Sequence, residues 1–231
     1  MRIGTFGDVL LTRAGDQAAN VAAWAASLGA DAVCIAKRRD DPSGETVARE
    51  LAAHGVAFLG PVGDGPFSPE ELDPAWLVCD VLHVSGYVLA REPISAPALL
   101  AARLAREAGA RVSVDVAAWT EIRSFGPVRF RELLDELAPD VLFATEAEWE
   151  LLGGAYLSAP TGVLKRGARG CSVFTGDAKL DFAALEVDVV DPTGAGDALA
   201  AGFLLGGSLE EAARRGIEAA ARCSAKVGSL P

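Results

Sequence analysis

Val189-Val190-Asp191-Pro192-Thr193-Gly194-Ala195-Gly196-Asp197-Ala198-Leu199-Ala200 is the stretch on which the reading of this chain turns. Two β-branched residues end a predicted strand, a Pro/Gly turn follows, and an apolar helix is predicted over 198–205. The N–H groups of Ala195, Gly196 and Asp197 fall at the first turn, where a helix offers them no carbonyl. With the helix dipole behind them, they form a seat for a phosphate or an oxyanion. Gly194 and Gly196 lack the Cβ atoms that would hold a ligand off the backbone.

Asp197 is out of place at an anion seat, because a carboxylate repels an anion. It reads either as a first-turn acid complementing the dipole, or as a general base. In the second case it takes a proton from a substrate hydroxyl while the amides hold the phosphoryl charge. Two commoner phosphate motifs fit worse. Leu199 stands where the third glycine of G-x-G-x-x-G belongs, and G-K-[ST] does not occur.

Working outward, 231 residues suffice for one α/β domain spanning 1–231 with a sizeable core. With 51% apolar and 23% charged residues the chain is expected to fold. A net charge of -11 argues against nucleic acid or an anionic membrane as partner. No apolar run reaches the ~18 residues of a membrane span. Met1-Arg2-Ile3-Gly4 reads as a first strand and not as a signal peptide. Cys34, Cys79, Cys171 and Cys223 are far apart with no C-x-x-C, as expected of reduced thiols in the cytoplasm. Two histidines, His54 and His83, make a histidine-based metal site improbable.

Strands are predicted over 2–6, 32–36, 56–59, 81–87, 111–115, 141–144, 162–165, 171–174, 179–182 and 187–190. Helices are predicted over 14–29, 43–54, 96–108, 128–137, 146–152 and 198–205, with a last one over 209–226 broken at Gly216. This alternation predicts a doubly wound, mostly parallel α/β sheet with helices on both faces. Ligands in such sheets bind at the carboxyl ends of the strands. Asp8, after the first strand, is there either a substrate contact or a turn residue.

The segment ending in Gly194-Ala195-Gly196-Asp197 closely resembles the D-T-x-G-A-G-D signature of the ribokinase-like (PfkB) carbohydrate kinases. The resemblance implies that Asp197 is the catalytic base and that the amides around Gly194, Ala195 and Gly196 form the anion hole. Gly15, Gln17 and Asn20 match the family's sugar-meeting G-G-x-x-x-N-x-A run, with Asp16 in place of the second glycine. Val84-Ser85-Gly86-Tyr87 resembles a substrate-side segment, which implies close approach at Gly86. Thr145-Glu146-Ala147-Glu148 is similar to N-x-x-E. It implies that Glu148 organises Mg²⁺ through water and that Thr145 lies near the nucleotide; the alternative is an acidic first turn. Lys165-Arg166-Gly167-Ala168-Arg169-Gly170 resembles T-l-G-x-x-G. It implies that Gly167 and Gly170 cradle ATP while Lys165 or Arg169 offsets phosphate charge. Asp191, Thr193 and Gly228 match positions that hold a monovalent cation, K⁺, in some relatives.

The implied reaction is transfer of the γ-phosphoryl group of ATP to a hydroxyl of a sugar or sugar-like small molecule. Strands of the family's β lid have no counterpart between residues 11 and 14 or in the Gly/Pro-rich crossing 60–69. The lid is therefore expected to be absent or reduced, with weak activity and a monomer or weak homodimer. Two other readings stay open: an impaired or engineered nucleotide-binding scaffold, and a lidless kinase of the vitamin or nucleoside type.

Overall fold

A computed structural model describes residues 1–7, 17–153 and 159–231. Asp8, Gly15 and Asp16 lie outside the described residues. Among those described, nine strands form a single sheet: β1 Arg2–Phe6, β2 Asp31–Ile35, β3 Val56–Leu59, β4 Val81–Ser85, β5 Arg111–Asp115, β6 Val141–Thr145, β7 Thr161–Lys165, β8 Cys171–Thr175 and β9 Ala178–Phe182. Their order is β3-β2-β1-β4-β5-β6-β7-β8-β9. Every pairing from β3 across to β7 is parallel, and β7-β8-β9 closes one side as an antiparallel meander.

The central strands are apolar on both faces, as a parallel sheet covered on both sides requires; all five residues of β4 are buried. One face is covered by α1 Gln17–Ser27, α2 Pro42–Ala53, α8 Ala195–Leu204 and α9 Leu209–Ser224. The other packs under α3 Gly86–Leu89, α4 Ser95–Glu107, α5 Trp119–Phe125, α6 Pro127–Leu137 and α7 Glu146–Leu151. Because β5, β6 and β7 run parallel and in register, their last residues Asp115, Thr145 and Lys165 come to one edge. That edge carries the site.

Four expectations need correction. Val187–Val190 is not a strand: no neighbour pairs with it among the described residues, and the amides of Val190 and Asp191 instead donate to the Ser224 carbonyl at the end of α9. Gly86 is not a turn after a long strand but opens α3. Helix α5 was not anticipated; it is short and stops at Gly126 (φ 106°), one residue before Pro127 starts α6. Helix α9 runs unbroken through Gly216. That glycine serves contact instead, since a Cβ there would lie 2.8 Å from the Leu199 carbonyl of α8. Gly202 does the same from the other side, 2.5 Å from the Arg215 carbonyl. His83 is a core residue, its Nδ1 2.9 Å from Ser113 Oγ. The four cysteines are free thiols.

Candidate active site

Gly194 caps α8 in the left-handed region (φ 81°), which favours glycine. The turn it makes sends the Ala195 N–H back to the Pro192 carbonyl at 3.1 Å. The predicted three-amide seat is thus reduced by one, because Ala195 spends its donor on the chain's own backbone. Helical bonding begins with Ala198 N–H to the Gly194 carbonyl, leaving the Gly196 and Asp197 N–H groups at the mouth of the helix without a backbone partner among the described residues.

Asp197 sits half-buried beside them. Its Oδ2 accepts from Asn20 Nδ2 at 2.7 Å. Asn20 is itself fixed: its Oδ1 accepts from Ser229 Oγ at 3.1 Å, and the Ser229 carbonyl accepts from Trp24 Nε1 at 2.8 Å. Asn20 therefore holds the carboxylate, where the family pattern implied a meeting with the sugar. Burial pushes the Asp197 carboxyl up to about 6, against the Asn20 hydrogen bond, the Lys165 charge and the nearby Gln17 amide. A carboxylate poised near neutral pH suits a general base. Gln17 is buried, and neither polar atom of its amide has a well-formed partner among the described residues. It is a donor and acceptor beside the Asp197 carboxyl.

Lys165, at the end of β7, reaches across β6 to Asp115 at the end of β5. Its Nζ lies 2.7 and 2.6 Å from the two carboxylate oxygens. Asp115 is fully buried and Lys165 nearly so. Burial works against the Lys165 charge, but Asp115, Glu148 and Asp197 outweigh it and hold the ammonium above its ordinary value. A Cβ on Gly196 would come 3.4 Å from Lys165 Nζ, so the cation stands at the mouth of α8. Glu148 is buried and closes a capping box, its Oε2 accepting from the Thr145 N–H at 2.7 Å. Its Oε1 is unspent among the described residues, one hard oxygen for a cation.

A cleft of about 610 Å³ opens beside this cluster. Thr145, Lys165, Gly167, Gly170, Ala195 and Gly196 line its polar end, and Leu199, Ile217 and Ala220 belong to an apolar wall that suits a flat base. Exposed Val187 and Val189 of the crossing form part of the same wall.

Several residues sit where expected without the expected freedom. A Cβ on Gly86 would strike the Val116 carbonyl at 2.0 Å, one on Gly170 the Phe182 carbonyl at 2.0 Å, and one on Gly194 the Ser229 Cβ at 2.6 Å. These three glycines make room for the chain itself. Gly167 has open space around it. Arg169 is exposed and ion-paired with Glu146, so it does not line the cleft. Asp191 accepts from the N–H groups of Thr193 (2.9 Å) and Gly228 (3.1 Å), tying the crossing to the C-terminal segment. Burial first, and then the charges of Glu121, Glu148 and Asp197, raise the Tyr87 hydroxyl above its ordinary value. Tyr87 was given no role by the sequence, whereas Asp115, at the tip of its strand, was expected to supply either phosphate-side polarity or only a turn. Its pairing with Lys165 became legible only once the strand order put it two strands away.

A family model described as pfkB family carbohydrate kinase matches residues 66–230. The chain is 32% identical to an ATP-dependent ribose-1-phosphate kinase of Halopiger xanaduensis, over 91% of this chain and 79% of that protein. It is 31% identical to a fructokinase of Escherichia coli, over 94% and 86%. Among solved structures, adenosine kinase from Sinorhizobium meliloti superposes with a TM-score of 0.87 at 22% identity, covering 100% of this chain and 95% of that one. That last likeness concerns the fold.

Proposed function

The chain belongs to the pfkB family of carbohydrate kinases, ATP-dependent phosphotransferases, and from that premise we propose that Asp197 is the base that activates a hydroxyl of a sugar or sugar-like acceptor. The acceptor O–H bond breaks with its proton passing to Asp197, the new O–P bond forms to the γ-phosphorus, and the bridging O–P bond breaks to release ADP. The observation that carries the reading is the Asp197 carboxylate, gripped by Asn20 at 2.7 Å, next to the unpaired Gly196 amide that lines the 610 Å³ cleft. Proton removal by a placed base supplies about 10²–10⁴-fold.

The Gly196 and Asp197 N–H groups face the charge that develops on the transferring group, and Gln17 offers its amide to the acceptor. Mg²⁺, when bound, neutralises nucleotide phosphate charge, and Glu148 Oε1 is the hard donor that fits it. A K⁺ effect is part of the same reading: Asp191 already fixes Thr193 and Gly228 beside the anion seat, so a cation there would set the height of that loop. The sequence relatives suggest the acceptor panel: fructose and ribose 1-phosphate. ADP release coupled to a reporter, run on that panel with Asp197→Asn as control, tests the proposal. Transfer lost in the variant with nucleotide binding kept supports it, and undiminished transfer in the variant sinks the base assignment.

A further inference from the structure

We propose that Asp115 is a positioning residue for phosphoryl transfer, holding the Lys165 ammonium at the mouth of α8 so that its remaining N–H meets the transferring phosphoryl group. This rests on the kinase reading above and adds to it the cation that the site otherwise lacks.

Donor counting supports it. An ammonium carries three N–H groups. Two of Lys165's are spent on Asp115, at 2.7 and 2.6 Å, and the third has no protein partner among the described residues. The Nζ atom borders the space above Gly196, whose amide is one of the two left at the helix mouth. Lys165 is also the one cationic residue lining the cleft among the described residues. It is surrounded by the carboxylates of Asp115, Glu148 and Asp197. A polyphosphate entering such a surround needs at least one fixed positive charge, and a pre-placed cation costs no reorganisation when the reaction occurs.

The pair is poorly explained as a stabilising device. Two charges taken out of water rarely improve on well-packed apolar side chains of the same volume. Strand order explains it better. A lysine on β7 reaching alone into the site would be free to pair with Asp197 and quench the base, because a carboxylate beside an ammonium loses basicity. Asp115, placed across β6 and fully buried, engages the ammonium with both oxygens. It keeps the cation beside the phosphoryl path and off the base. Asp115 touches no reacting atom; it acts through Lys165.

The test compares Asp115→Asn, Asp115→Glu and the apolar pair replacement D115L/K165M with the wild-type chain. Single removal of one partner leaves an unpaired buried charge, so the double variant guards against loss of the fold, which thermal melting checks. Expected for Asp115→Asn is a kcat reduced tenfold or more, with the acceptor KM within about threefold. Its acid limb should also move to lower pH, since the released ammonium pairs with Asp197. Asp115→Glu should recover part of kcat. For D115L/K165M, calorimetry should show affinity for ATP reduced tenfold or more and adenosine affinity unchanged. The inference is overturned if Asp115→Asn keeps both kcat and pH profile, or if the folded double variant retains the wild-type ratio of ATP to adenosine affinity. If the wild-type chain binds ATP but phosphorylates no acceptor, the kinase reading fails, while the affinity ratio still decides whether Lys165 holds phosphate. A wild-type chain that does not bind ATP overturns both.

Discussion

Replacing Asn20 by leucine isolates what holds the base. The Asn20 amide donates to Asp197 at 2.7 Å, and a hydrogen bond to a charged acceptor is worth about 1.5–3 kcal/mol. One pH unit corresponds to about 1.36 kcal/mol, so removing this donor should raise the Asp197 carboxyl by about one to two pH units from its value of about 6. Leucine is chosen because its volume keeps out a water that would replace the donor. The assay is kcat/KM for the acceptor against pH from 5 to 9, which reports the free enzyme's ionisations. The wild-type acid limb should be half-maximal near pH 6, and the variant's about one to two units higher. By simple titration the rate at pH 6 then falls roughly five- to fifty-fold while most of it returns at pH 9. Ser229 Oγ also loses its acceptor, which costs about 1 kcal/mol of stability, visible in melting and separable from the pH shift. A rate lowered equally at every pH, with the limb still near 6, would refute the argument and make Asn20 a substrate contact.

Asp197→Asn should also alter stability in a pH-dependent way. The fold raises this carboxyl from 3.8 to about 6, so its contribution is full below pH 4 and is lost as pH rises through 6, by about 3 kcal/mol. The variant should therefore melt several degrees above the wild-type chain at pH 8 and show no such gain at pH 4; equal melting at both pH values contradicts the burial argument. Ala221→Trp, on the half-buried wall of the cleft, should raise the nucleotide KM tenfold or more and leave the acceptor KM unchanged. An unmoved nucleotide KM would place the base elsewhere. Gly216→Ala puts a Cβ 2.8 Å from the Leu199 carbonyl and should destabilise by about 1–3 kcal/mol, or about 2–4 °C of Tm per kcal/mol in a chain of this size.

The sheet was legible because a parallel sheet buried on both faces writes itself as short apolar runs separated by amphipathic helices. Strands β1 to β9 all lie within two residues of their predicted ranges, the largest difference being β4, which stops at Ser85. Val187–Val190 failed for a reason local patterning cannot register: β-branching favours extended backbone, but a strand needs a neighbour. Here the amides of Val190 and Asp191 find the carbonyl of Ser224 instead. Gly216 failed similarly. In isolation a mid-helix glycine weakens the helix, while packed against α8 it lets two backbones approach, so the helix runs on.

The placement of Asp197 at the helix mouth was legible in the sequence, while what comes close to its neighbouring glycines was not. A glycine reports that something comes close, but not whether that something is a ligand or the chain. At Gly86, Gly170 and Gly194 the near atoms are Val116, Phe182 and Ser229, so these glycines shape the edge on which the site stands. Gly196, facing Lys165, is the one whose missing Cβ bears on the anion seat, and Ala195 gives its amide to Pro192. The seat is consequently two amides and not three, which in the proposed reaction leaves more of the phosphoryl charge to a side chain. The lysine that ends β7, with Asp115 set against it from β5, meets that requirement at the same helix mouth. In the proposed reaction the lysine at position 165 and the narrowing of the amide seat are therefore parts of one charge balance.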